Sequence, residues 1–200
     1  MREILLWLAA AMAAVSLSGC SSLGRLDTSS TGPAPSESII MIGVAPENFT
    51  VSLFRGSVSG ERFNQGLLPA TLYGVGQQGF LVGKADAGDT LGLTIVRELN
   101  KPSDILGGRL FSPCGDAHAM VYDIPKGKVL YLGSVRYASD GSRLRVSRED
   151  DLDAARRHLR EKYPKVTGEL EVLEPRLMPV TQACGPGIPL VIPIYIPRSR

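Results

Sequence analysis

The 200-residue chain is poor in the residues that carry most enzymatic chemistry. It has two histidines, three cysteines and a formal charge of only +2, from 22 basic and 20 acidic residues. So small an excess gives no ground for nucleic-acid binding or for attraction to a strongly anionic surface. Nucleophilic catalysis needs a base within reach of the nucleophile, and His118 and His158 are the only imidazoles available. Neither G-x-S-x-G nor S-x-x-K occurs. No internal repeat is visible. The first apolar run falls short of the roughly 20 residues a membrane-spanning helix needs.

That run has the build of an export signal. Arg2 gives a short positive start, Ile4 to Leu17 form a 14-residue apolar stretch, and small residues follow. It ends in Leu17, Ser18, Gly19 and Cys20. This "LSGC" resembles the lipobox of bacterial lipoproteins at all four positions. The resemblance implies that residues 1–19 are removed, that the Cys20 thiol receives a diacylglycerol and that the new amine is acylated. Ser21, in place of an aspartate, resembles the pattern of export to the outer membrane, with the protein facing the periplasm. Each buried methylene contributes about 0.8 kcal/mol, so three acyl chains would make the attachment permanent. The plainer alternative is an ordinary signal peptide followed by a chance cysteine.

Residues 20–38 run on as "CSSLGRLDTSSTGPAPSES", rich in Ser, Thr, Gly and Pro with little to bury, which predicts a flexible tether. Residues 39–200 have the size of a single domain. Short apolar runs alternate there with turn residues, the rhythm of a β-rich fold. "SIIMIGV", "TVSLFRG", "GFLVGKA", "TLGLTIVREL", "AHAMVYDI", "KVLYLGSVRYA", "RLRVSRE", "GELEVLE" and "RLMPVTQA" are the strand candidates. "SDGS" predicts a hairpin between "KVLYLGSVRYA" and "RLRVSRE", with both Asp-Gly turn positions at positive φ. Arg143 and Arg145 should then face opposite to Leu144 and Val146.

One helix stands out in "SREDDLDAARRHLREKYP". Ser147 can cap it, with Asp150 completing an approximate capping box, and Pro164 stops it. Leu152, Ala155, Leu159 and Tyr163 form an apolar stripe, and the charged remainder puts His158 in solvent. The expected architecture is mainly β, an antiparallel β-sandwich with one amphipathic helix packed on it. With "IPKGKVLYLGSVRY" late in the domain and a helix ending in "KYP", the chain also resembles uncharacterised bacterial lipoproteins with a transthyretin-like β-sandwich. That resemblance implies no catalytic residues.

Several constellations compete with blander readings. Gly74, Gly76 and Gly79 spell G-x-G-x-x-G, but no helical stripe follows to meet a pyrophosphate, so the segment reads as a loop and no cofactor is implied. Cys114, Asp116 and His118 would share a face of an extended strand, three metal ligands at most. Once Cys20 is lipidated, Cys114 and Cys184 are the two thiols left in an oxidising compartment, and a disulfide between them is favoured over a metal site. Asp150 and Asp151 are explained by a helix start. Arg143, Arg145, Arg148, Arg156, Arg157 and Arg160 concentrate positive charge, either as a face for an anionic ligand or as a solvated surface with pairs Asp153–Arg157 and Arg157–Glu161.

The last residues, "GIPLVIPIYIPRSR", put Pro189, Pro193 and Pro197 on one parity and Ile188, Leu190, Ile192, Ile194 and Ile196 on the other. An edge strand paired through the second parity and blunted by proline is expected. The alternative is a loose polyproline-like tail. The functional expectation is a non-enzymatic lipoprotein, anchored in the membrane by lipid, that binds or braces a protein or other component of the cell envelope. The alternatives are a cell-wall glycan or peptide hydrolase, and a docking module for an anionic polymer.

Overall fold

The apolar runs become strands, and the strands pair into two sheets packed face to face. The computed structural model describes residues 23–101, 107–141 and 143–184, together with the backbone of residues 191–195. In chain order the strands are β1 (Glu37–Ala45), β2 (Phe49–Ser59), β3 (Arg62–Gln65), β4 (Leu72–Val75), β5 (Phe80–Asp86), β6 (Thr90–Glu98) and β7 (Arg109–Phe111). Next come β8 (His118–Asp123), β9 (Val129–Ser139) and β10 (Leu144–Glu149), then the helix α1 (Leu152–Lys162), then β11 (Leu170–Val172), β12 (Arg176–Pro179) and β13 (Val191–Tyr195). One sheet runs β13-β10-β9-β1-β5, with β11 also on β9; the other runs β12-β8-β6-β2-β3, with β4 on β2 and β7 on β6. The second is antiparallel throughout, while the first holds three parallel pairs, β1 with β9, β11 with β9 and β10 with β13. The β9-to-β11 connection contains α1, the length of crossover a parallel pair needs.

Strand β1 explains the unbroken run "SIIMIGV". Ile40, Ile42 and Val44 face the core between the sheets, while Ile39 and Met41 face α1 on the outside. A strand covered on both faces has no polar side to alternate with. Strand β9 is also covered twice, and it changes parity midway. Leu130 and Leu132 point to the core, and so do Val135 and Tyr137, because a bulge displaces the register between Met41 and Gly43 of β1. Gly133 sits at that bulge with φ 88°.

The second sheet curls on its outer side around Phe63, which packs with Ala119, Val121, Met178 and Val180. Side chains at Gly56 or Gly92 would collide with its ring, so both glycines make room for the curl. The curl brings the two ends of this sheet together, with Thr181 N–H donating to Phe63 O at 3.1 Å.

Three local expectations need correction. The segment expected to be a flexible tether is docked from Leu23 onward. Leu23 and Tyr73 exchange backbone hydrogen bonds of 3.1 and 3.0 Å, Leu26 N–H donates to Val82 O at 2.9 Å, and Leu26 is buried. Its composition offered only two leucines, of which Leu26 is buried, and backbone pairing along β4 and β5 supplied the rest. The helix starts later than expected: Asp151 is the N-cap, accepting from Ala154 N–H at 3.0 Å. Ser147 cannot cap because it belongs to β10, opposite Arg136. Finally, the "SDGS" hairpin forms, but of the Asp140-Gly141 pair only Gly141 takes positive φ. The Asp140 carboxylate accepts from Arg143 N–H at 2.8 Å and closes a wider loop.

The expected apolar stripe of α1 holds: Leu152, Ala155, Leu159 and Tyr163 all pack on the outer face of the first sheet. The G-x-G-x-x-G segment runs from β4 into β5 through a turn, with Gln77 and Phe80 exchanging backbone hydrogen bonds. Strand β13 lies at the sheet edge, parallel to β10, with Pro193 opposite Val146. The expected edge position is met there, at residues 191–195. Cys20, the signal segment and Pro189 and Pro197 lie outside the described residues.

Candidate functional site

The two cysteines meet. Cys114, buried in the loop between β7 and β8, is bonded to Cys184 beyond β12, with 4.9 Å between the Cα atoms. Gly115 N–H to Gln182 O at 2.9 Å continues the seam. With its sulfur in the bridge, Cys114 has no thiolate to offer beside Asp116 and His118. The Asp116 side chain is almost wholly exposed and meets Arg62 at 3.3 Å.

The six arginines do not form one face. Arg143 and Arg145 are exposed on β10 and the loop before it, as their parity requires. Arg148 is the correction. Its side chain is only 2 % exposed, turned inward beside Gly133, where any Cβ would strike the guanidinium. There Nη1 donates to a Glu174 carboxylate oxygen at 2.8 Å, Nη2 stands 3.1 Å from Asp150 Oδ1, and Nε points to Leu132 O at 3.4 Å. The same carbonyl accepts from the Tyr122 hydroxyl at 3.0 Å. Burial pushes that hydroxyl's pKa far up, so it remains a donor. Arg148 shares its parity with Leu144 and Val146, so strand alternation alone pointed it inward. Its work is structural: it ties β10 to Glu174, in the passage between β11 in one sheet and β12 in the other.

On α1, Arg156 and Arg160 are one turn apart and line a groove of about 730 Å³ at the helix C-terminal end. Its apolar part comes from Leu159, Tyr163 and Val166, and Glu169 is its one carboxylate. Arg157 is exposed but does not line the groove. The helical ion pair that forms is Asp153 with Arg156, at 3.7 Å, in place of the expected pairing with Arg157.

His158 is buried, contrary to expectation. Its ring lies 4.9 Å from Phe80 and 6.2 Å from Tyr163. Burial, reinforced by the nearby Lys162 charge, holds its pKa below the usual histidine value. The stripe was read as Leu152, Ala155, Leu159 and Tyr163, but position 158 borders it, and its partner Phe80 comes from a distant strand.

Two further spaces lie around the second sheet. A cleft of about 240 Å³ beside the disulfide seam is lined by neutral amides and hydroxyls, among them Asn64, Gln65, Thr181 and Gln182, and by apolar Phe63, Leu67, Pro113 and Val180. A cavity of about 20 Å³ between Tyr137 and Met120 is too small for an organic ligand. The grooves thus offer cations, amides and apolar walls, which suits binding an anion or a polar chain. No family model, curated protein or solved structure matches the chain.

Proposed function

We propose that the protein is an outer-membrane lipoprotein, held by acyl chains on Cys20, whose periplasmic β-domain binds or braces another envelope component without catalysing a reaction. The anchor rests on the sequence Leu17-Ser18-Gly19-Cys20, and the docking of the chain from Leu23 onward says where it would hold the domain. Three peptide steps separate Cys20 from Leu23. At about 3.6 Å each they span about 11 Å at most. Lipid on Cys20 would therefore hold the folded domain against the bilayer in a restricted orientation.

The surface assigned to the partner is the groove between Arg156 and Arg160, whose guanidinium groups suit a carboxylate or phosphate on a polymer or protein of the envelope. A glycan hydrolase would need a second carboxylate facing the first. The three spaces described above contain only Glu169.

Cys20→Ser should leave an uncleaved precursor without acyl chains, detected by mass. Normal processing of that variant would overturn the anchor. A photo-crosslinking residue at position 160, in intact cells, should capture a partner that the same residue at position 143 does not. Equal capture at both sites would overturn the groove.

A further inference from the structure

The cleft beside the disulfide seam lies where a strand ladder stops short. Gly66 N–H donates to Arg55 O at 2.8 Å, so on β3 the main-chain groups of Arg62 and Asn64 also face β2. Those of Phe63 and Gln65 therefore face the opposite edge. There Phe63 O accepts from Thr181 N–H at 3.1 Å, and Phe63 makes an isolated parallel bridge with Val180. The ladder goes no further: Gln65 N–H and O have no main-chain partner among the described residues. The cleft opens at that point, between Gln65 on one side and Thr181 and Gln182 on the other.

The side chains around this gap are set to donate. The Gln65 carboxamide oxygen accepts from the Thr94 hydroxyl at 2.5 Å, and Thr94 is buried. The Asn64 oxygen accepts from the Thr181 hydroxyl at 3.1 Å. With both oxygens engaged, each amide still has its N–H donors, and neither nitrogen has a partner among the described residues. No residue lining the cleft is charged, and Leu67, Pro113 and Val180 give it apolar walls. The Cys114–Cys184 bond holds those walls in place, since Pro113 adjoins Cys114 and Gly115 N–H donates to Gln182 O at 2.9 Å.

Donors without a formal charge suit an uncharged acceptor, such as an amide carbonyl. At about 240 Å³ the cleft is smaller than the roughly 300 Å³ at which drug-sized sites begin, so it suits one small unit. A peptide strand would need a run of main-chain partners. Here Gln65 alone offers them, between the Phe63 bridge and Gly66, which turns back to β2. We propose that the cleft binds one N-acetylated sugar of a glycan. Its acetamido carbonyl accepts from the amides of Asn64 and Gln65, its N–H donates to Gln65 O, and its methyl group packs on Leu67, Pro113 and Val180. This site goes beyond the arginine groove and stands whether or not that groove is occupied.

The full, lipidated protein in a zwitterionic detergent is titrated with a tetramer of β-1,4-linked N-acetylglucosamine. A Kd of about 1 mM or tighter is expected, with the acetyl methyl the most strongly saturated group in saturation-transfer NMR. The β-1,4-linked glucose tetramer, which lacks the acetamido group, should bind at least about tenfold more weakly. Gln65→Glu keeps the acceptor for Thr94 and removes the N–H donors, and should weaken binding about tenfold at an unchanged Tm. Asn64→Ala, at an exposed position, makes the same test if the first variant loses its fold. Arg143→Ala, in the hairpin loop of the other sheet, should bind as wild type does. Equal binding of the two tetramers, binding of neither, or folded amide variants that bind as wild type does would overturn the site. Binding of the blocked peptide acetyl-Ala-Ala-Ala-amide at least as tightly as the sugar would assign the cleft to a peptide and overturn it as well.

Discussion

Replacing Arg148 with methionine keeps the aliphatic bulk and removes the charge. The guanidinium is 2 % exposed and the Asp150 carboxylate 8 %, whereas Glu174 is 52 % exposed. Asp150 would thus be left buried without its cation, while Glu174 could turn to water. Breaking a buried pair from one side costs about 3–5 kcal/mol, and the exposed third member argues for the lower end, about 3 kcal/mol. Glu174→Gln should cost about 1 kcal/mol or less, because half of that side chain is already solvated. Removing both buried charges, in Arg148→Met with Asp150→Asn, should recover at least about 1 kcal/mol of the single-variant loss, as expected for groups in direct contact. For a domain of this size about 3 kcal/mol lowers Tm by roughly 6–12 °C. Urea unfolding with the disulfide intact measures all four proteins. Arg148→Met within about 0.5 kcal/mol of wild type, or a double variant no better than Arg148→Met alone, would refute the assignment of Arg148 as a buried, charge-matched tie.

Three more predictions follow from the packing. His158 has its pKa depressed by burial, so the unfolded chain binds the proton more readily; the stabilisation is complete above pH 6.5, the unfolded value, and is lost as pH falls through the folded one. His158→Phe should flatten the stability profile between pH 7 and 5, and an unchanged slope would show that His158 is not the titrating group. Cys114 and Cys184 close a loop of 70 residues, and removing the bond should cost up to about 4 kcal/mol by chain entropy; thiol labelling of denatured, unreduced protein should find no free cysteine beyond Cys20, and two labels would contradict the bridge. Amide exchange at Ile192 and Ile194 should be slow if their N–H groups face β10, and free-peptide rates there would contradict that pairing.

Much of the fold was legible because strand rhythm is local. The nine strand candidates, the apolar stripe of α1 and the hairpin before Leu144 all follow from alternation and turn residues within a few positions. Strands β3, β4 and β7, three or four residues each, were missed; β11 and β12 are as short but lie inside the longer candidate runs "GELEVLE" and "RLMPVTQA". Arg148 was misread despite a usable signal: its parity matched Leu144 and Val146, but a count of charges outweighed the pattern.

By itself the sequence determined the β-rich class, the pairing of the two cysteines by elimination, and the site where lipid is expected. Each depends on residue type and spacing along the chain. Tertiary structure alone decided that Gly133 would make room for Arg148, that Phe80 would cover His158, and that residues 23–26 would lie along β4 and β5. Those contacts join residues far apart in sequence. Their free energy comes from partners that no local window contains, so they are settled only when the sheets close on one another.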